Sequence, residues 1–245
     1  MPKFFIDSSN IIDRTITIKG ETAHHLINVL RIKTGDKITL CNGIGLDYNA
    51  IVINSIKHRQ HPSIMLSINE TFTSATESNV NITLYQSLPK GDKLELIIQK
   101  CVELGVCKIV PVLTMRSEVQ LKDVMRKMER LQRIANSAAE QSMRGIIPEI
   151  TSPTSFDAAL SQMDSSTLKL VAYECEQNLT LKRALSNTCN MKLSIWVGPE
   201  GGFDTSEISK LESHGTIAVS LGKRILRVET AAIAITAQTL CLLEE

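Results

Sequence analysis

The chain has 245 residues, 43% of them hydrophobic and 22% charged, and its formal net charge is +1. This length allows one large domain or a small one joined to a medium one, and the composition is that of a folded protein with a core. Near-neutral charge excludes a strongly basic protein that binds nucleic acid as a whole, so any RNA contact must come from a local patch of Lys and Arg.

Residues 1–72 are read as β-rich, with strands over 4–6, 15–18, 37–41, 47–56 and 63–68 between turn signals such as Thr34-Gly35-Asp36 and Asn42-Gly43. One helix, over 21–31, interrupts them. Closely spaced strands with a single helix suggest a small barrel. Residues 73–79 are polar and unpatterned and are taken as the linker, which leaves 80–245 as the second domain. There the rhythm becomes strand then helix, beginning with a strand over 81–86. A helix over 93–104 follows, carrying Leu94, Ile97, Cys101 and Leu104 on one face, with Gly105 as its stop. A strand over 109–113 precedes a long helix over 122–143 whose buried stripe is Val124, Met128, Leu131, Ala135 and Ala138. Strands over 168–173, 193–197 and 217–221 alternate with helices near 180–186 and 205–214. Asp204 and Glu207 supply a capping box to the latter. The last helix, 230–242, is apolar nearly all round, which means burial on more than one side. This alternation predicts an α/β domain with a mostly parallel sheet covered on both faces.

Six cysteines show no metal-ligand spacing; the nearest pair, Cys101 and Cys107, lies six apart. No metal is expected, and the thiols are read as reduced. Residues 1–10 carry Lys3 and Asp7 instead of a basic-then-apolar leader. The longest apolar tract, 230–243, is too short and too rich in threonine and alanine to span a bilayer. A cytoplasmic protein without membrane contact is expected.

Two glycine-rich turns carry the chemistry: Gly198-Pro199-Glu200-Gly201-Gly202-Phe203, and Leu221-Gly222-Lys223-Arg224-Ile225-Leu226-Arg227-Val228-Glu229-Thr230-Ala231. Each follows an apolar run that reads as a buried strand. Ligands of open α/β sheets collect at the carboxyl ends of strands, and glycine lets backbone approach them closely. A third strand-end loop, Val171-Ala172-Tyr173-Glu174, adds to one small-molecule crevice. Neither turn is a Walker loop: Gly222-Lys223 is followed by Arg224 instead of a hydroxyl residue, and no Gly-x-Gly-x-x-Gly follows a strand. Glu200 suits a cationic or hydrogen-bond-donating ligand. Arg227 and Glu229, two apart, could point into the crevice or form an internal pair that braces the loop. Arg126, Arg130 and Arg133 recur at helical spacing opposite the apolar stripe, with Arg116 and Arg144 as extensions; such a face is either simply solvated or a phosphate surface. His24, His25, Arg31 and Lys33 form a comparable set in the first domain.

The two turns, together with Ser87-Leu88-Pro89-Lys90-Gly91-Asp92-Lys93, Ala139-Glu140-Gln141-Ser142-x-Arg144 and His24-His25-x4-Leu30-Arg31-x3-Gly35-Asp36, resemble the small-subunit rRNA (uracil-N3) methyltransferases of the SPOUT superfamily. The resemblance covers nearly the whole chain. It implies S-adenosyl-L-methionine as cofactor, a trefoil-knotted parallel sheet and a PUA-like RNA-binding barrel over 1–72. It also implies a homodimer acting on one uridine of 16S rRNA within the 30S subunit. A knot runs against the rule that chains do not thread their own loops. By the same resemblance, the cofactor is held by Val171, Ala172, Gly198, Pro199, Glu200, Gly201, Gly202, Leu221, Gly222, Ile225, Leu226 and Thr230. Backbone groups make many of these contacts. Arg227 is the expected stabiliser of the uracil anion, with Glu229 or Glu200 as orienter or base. RNA contacts are expected from His25, Arg31, Lys33, Arg116, Arg126, Arg130, Arg133 and Arg144. Ribose 2′-O-methylation by the same superfamily, or a non-catalytic RNA-binding assembly factor, are the alternatives.

Overall fold

A computed structural model describes residues 3–58, 61–186, 188–189 and 191–244. The chain forms two compact units. The first runs to Glu77 and includes Ala139–Ile147; the second comprises Ser78–Ala138 and the remainder from Pro148.

The first unit contains β1 (Lys3–Phe5), β2 (Thr15–Lys19), α1 (Gly20–His24), β3 (Lys37–Cys41), β4 (Leu46–Ile56) and β5 (Ser63–Thr73). Its sheet has the order β1-β3-β4-β5-β2, with β1 parallel to β3 and the other pairs antiparallel. Alternation in the strands turns Ile16, Ile18, Ile38, Leu40, Val52, Ile64 and Leu66 inward onto Leu26 and Ile27. The helix read over 21–31 is shorter: α1 passes into a π-helical turn, His25–Val29, and Arg31 adopts φ 56°. β5 extends past the expected end at Ile68, because its polar second half keeps its backbone pairing to β4 after a register shift at Asn49/Ala50. Hydrogen bonding, not side-chain alternation, holds that stretch.

Two polar clusters inside the unit are wholly or partly buried. Lys3 Nζ donates to Asp47 Oδ2 at 2.7 Å and to Ser74 Oγ at 3.0 Å. The Arg144 guanidinium sits on Glu77 at 2.6 Å, and Glu77 Oε1 also accepts the backbone N–H groups of Gly145 and Ile146. Arg144 is only 3% exposed. Its expected place on an open phosphate-binding stripe is therefore corrected: its charge is spent on an internal carboxylate.

The second unit contains β6 (Asn81–Ser87), α2 (Lys93–Leu104), β7 (Lys108–Leu113), α3 (Leu121–Met125), α4 (Met128–Gln141), β8 (Glu149–Ile150), β9 (Thr154–Ser155), α5 (Phe156–Ser161), β10 (Leu168–Ala172), α6 (Leu181–Leu185), β11 (Lys192–Val197), α7 (Thr205–Ser213), β12 (Ile217–Val219) and α8 (Val228–Leu243). From Ala139 onward α4 counts with the first unit. The sheet order is β12-β10-β11-β6-β7-β8, with β9 also on β7, and every pair is parallel. Parallel strands covered on both faces read as apolar runs. Ile82, Leu84, Leu170 and Ile195 fill one face. Tyr85, Val171 and Trp196 fill the other, where they meet Phe156 and Phe203. Tyr85 stacks on Trp196 with ring centroids 4.6 Å apart.

The single helix expected over 122–143 is two. α3 ends in a tight turn in which Lys127 N bonds Val124 O at 2.9 Å, and α4 begins afresh. α2 stops at Gly105, which takes φ 120°. α2 and α8 lie side by side in the same direction: Thr236 Oγ1 is 3.8 Å from Cys101 Sγ, and Leu240 packs over Gly105 one turn later in both helices. Their N-termini therefore emerge at the same end of the sheet.

Candidate active site

Three neighbouring parallel strands set the site. Ala172 pairs in register with Val197 on one side and Val219 on the other, so β12, β10 and β11 end level. The loops leaving those ends enclose a cleft of about 900 Å³. Its walls are Ala172, Tyr173, Glu174, Glu176, Gln177 and Thr180 after β10, and Val197–Glu200 with Gly202 after β11. Ser220–Val228 and Ala231 follow β12, and Lys93 of α2 completes the rim.

The first turn is tightly constrained. Gly202 takes φ +67°, and a side chain there would run into the Glu174 carboxylate; one at Gly198 would press on Phe203. Gly202 N bonds Pro199 O at 3.0 Å. Arg116 braces the turn from outside, donating to Gly201 O at 2.9 Å and to Asp204 Oδ2 at 3.2 Å. The capping box beyond it forms as expected, and the buried Glu207 also accepts the N–H of Met115 through Oε1.

Glu200 points to the start of α2. Its Oε1 accepts Lys93 Nζ at 2.6 Å and Lys90 N at 3.1 Å. Partial burial pushes its carboxyl up, but Lys93 and the N–H groups more than offset this and hold it below the usual glutamate range. Glu200 is thus an ionised acceptor that ties two loops together. The second turn is open: Lys223, Arg224 and Arg227 are exposed and Ile225 is 80% exposed. Ser220 N bonds Leu179 O and Leu181 N bonds Ser220 O, which seams this turn to the loop after β10. There Glu176 Oε1 accepts the N–H groups of Leu179 and Asn178, and these bonds lower its carboxyl.

Of the expected cofactor residues, Ala172, Gly198, Pro199, Glu200, Gly202, Leu221, Gly222, Ile225 and Leu226 converge on the cleft. Val171 does not: strand alternation turns it into the core beside Trp196. Gly201 lies against Arg116, and Thr230 is exposed outside the lining. Arg227 lines the rim as the N-cap position of α8. Glu229 stands outside the lining and keeps a buried Oε2 without a hydrogen-bond partner. Sequence reasoning missed Lys93, Glu176, Gln177 and Thr180. Lys93 ends the Ser87–Lys93 motif, whereas a loop without glycines gives no signal for the others. Among the described residues, no cluster of three His, Cys, Asp or Glu could hold a metal, and no helix is long and apolar enough to cross a membrane.

The expected RNA residues divide. In the first unit His25, Arg31 and Lys33 are exposed. In the second, Arg126, Arg130 and Arg133 are exposed, with Arg130 on Glu95 at 2.7 Å. Arg116, by contrast, is engaged with the first turn.

Comparison with known proteins agrees with this geometry. Residues 76–240 match the RNA methyltransferase domain family, and residues 18–59 the RNA methyltransferase PUA domain. The chain is 35% identical over 226 residues to ribosomal RNA small subunit methyltransferase E of Bacillus subtilis, covering 89% of this chain and 87% of that protein. It is 34% identical to the Synechocystis protein of the same name, over 99% of this chain and 78% of that one. The structure of ribosomal RNA small subunit methyltransferase E from Neisseria gonorrhoeae, bound to S-adenosyl methionine, superposes with a TM-score of 0.84 at 32% identity, covering 99% of this chain and 98% of that one. A PUA-like first domain and a parallel-sheet methyltransferase domain with a cleft at its strand ends place this chain in the ribosomal RNA small subunit methyltransferase E family.

Proposed function

We propose that this chain methylates N3 of one uridine in 16S rRNA, within the 30S subunit in the cytoplasm, with S-adenosyl-L-methionine as donor. The observation that carries the reading is the cleft at the level ends of β12, β10 and β11. Its volume suits a ligand of that size. Gly198, Gly202 and Gly222 line it with backbone, and Glu174, Glu176 and Glu200 suit a donor with a sulfonium and an ammonium group. Backbone groups of Ala172, Gly198, Gly202, Leu221 and Leu226 would hold it. When bound, it supplies an electrophilic methyl group.

The remaining work falls to the chain. N3 must lose its proton, and the negative charge then spreads over the imide. Arg227, exposed at the rim, places fixed positive charge there. Glu229, with its free buried oxygen, serves as orienter or base, while Glu200 positions. His25, Arg31 and Lys33 in the first domain, and Arg126, Arg130 and Arg133 in the second, contact phosphates. The fold carries the trefoil knot of the superfamily, and the protein works as a homodimer through α8. Thr230, Ala234, Ala237 and Cys241 recur on that helix at i, i+4, i+7 and i+11 and stay exposed or half-buried, while Val228, Ala232, Ile235 and Thr239 face the core.

Labelled S-adenosylmethionine and small subunits lacking the modification provide the test. Nucleoside digestion and mass spectrometry are expected to find N3-methyluridine. A ribose-methylated product would move the chain to 2′-O chemistry, and no cofactor binding by calorimetry would make it a non-catalytic assembly factor.

A further inference from the structure

Among the described residues that line the cleft, Lys93 alone comes from α2. It opens α2, and its ammonium rests on Glu200 Oε1 at 2.6 Å. The same oxygen accepts Lys90 N, so Glu200 fixes both the backbone before α2 and the Lys93 side chain. An ammonium has three donors, and this salt bridge uses one. Lys93 and Glu200 are about one-third exposed, with side-chain values of 35% and 31%. The pair is a held charge facing open space, not a buried clamp. α2 and α8 run side by side in the same direction, so Lys93 and Arg227 stand at neighbouring helix N-termini, where backbone N–H groups add further positive potential.

We infer that Lys93 is a catalytic and specificity-determining residue that donates to a uracil carbonyl, opposite Arg227, with Glu200 as its positioning residue. This rests on the uridine-N3 reading above. Removing the N3 proton leaves charge shared by O2, N3 and O4, and two cations can bracket both carbonyls. Cytosine presents an amino donor where uracil has O4, so an ammonium at that edge meets a like donor and rejects it. Arg227 alone supplies one side only. Held in place before the reaction, Lys93 needs no reorganisation as charge develops.

Single-turnover methylation of unmodified small subunits by the wild-type, Lys93→Gln, Lys93→Arg and Glu200→Gln proteins tests this across pH. Lys93→Gln is expected to slow methyl transfer about a hundredfold, the usual consequence of removing one anion-stabilising donor. Its rate should rise with pH at a point about one unit higher than in the wild type, because the imide proton is harder to remove. Cofactor affinity by calorimetry should change less than about threefold, since the residue faces the base. Lys93→Arg keeps the charge and should restore the pH profile more than the rate; Glu200→Gln should show a smaller loss. An unshifted Lys93→Gln profile with a near-normal rate overturns the assignment. If Lys93→Gln loses cofactor binding, the Lys93→Arg protein decides, and a profile displaced by the same roughly one unit although the charge is kept overturns it. A wild-type product other than N3-methyluridine overturns the function itself, so the two failures are distinct.

Discussion

Replacing Arg227 by alanine is expected to abolish most turnover while keeping cofactor affinity within about tenfold, roughly 1.4 kcal/mol. Its side chain makes no cap bond to α8 and stands exposed at the rim, so the fold does not depend on it. Unchanged turnover would refute its role. Glu77 is the opposite kind of residue. Burial pushes its carboxyl up, but the Arg144 guanidinium and the N–H groups of Gly145 and Ile146 outweigh that and hold it below the ordinary glutamate value. A carboxylate depressed in the folded state adds stability that is complete above its unfolded value and is lost as pH falls through the folded one. Acidification below about pH 4.5 should therefore weaken the first unit. Glu77→Gln should cost about 3 kcal/mol at neutral pH and flatten the acid limb of a denaturation series. Parallel wild-type and variant curves across pH would contradict this. Arg144 shows why the residue scale misleads a reader of sequence: an arginine next to a motif looks like a phosphate ligand until its partner, 67 residues away, is known.

At the scale of elements, legibility followed length and period. α2 was readable to its last residue because its apolar face repeats and Gly105 ends it. The two-residue β8 and β9 and the six-residue α5 carry too little pattern to register. The break between α3 and α4 was hidden because the apolar stripe continues across it, so periodicity reads one helix where a tight turn intervenes. The first glycine turn was visible, and its geometry supplies a prediction. Gly202→Ala places a side chain at φ +67° against the Glu174 carboxylate, a strain of about 1–3 kcal/mol. Cofactor affinity should fall at least about tenfold by calorimetry, and the thermal midpoint of the cofactor-free protein should fall by a few degrees. Retained affinity would mean that the turn does not shape the cleft.

At the scale of the molecule, the proposed homodimer rests on how α8 packs. One face buries Ala232, Ile235 and Leu240 against the sheet and α2, and the opposite face keeps small residues in view. Small residues let a second helix approach closely, so Ala237→Arg is expected to convert a dimer to a monomer in sedimentation velocity. A monomeric wild type, or a variant that still dimerises, would discard the α8 interface.

The alternation of strands and helices, the β-rich first part and the two turns are legible in the chain alone, since each is written in nearby residues as period, glycine or cap. Which polar groups meet emerges only once the chain is folded. Lys93 on Glu200, Arg116 on Gly201 and Arg144 on Glu77 join residues 67 to 107 positions apart. The first two pairings depend on the order of β6, β7 and β11, and a parallel sheet sets that order through crossovers whose destinations no local pattern encodes.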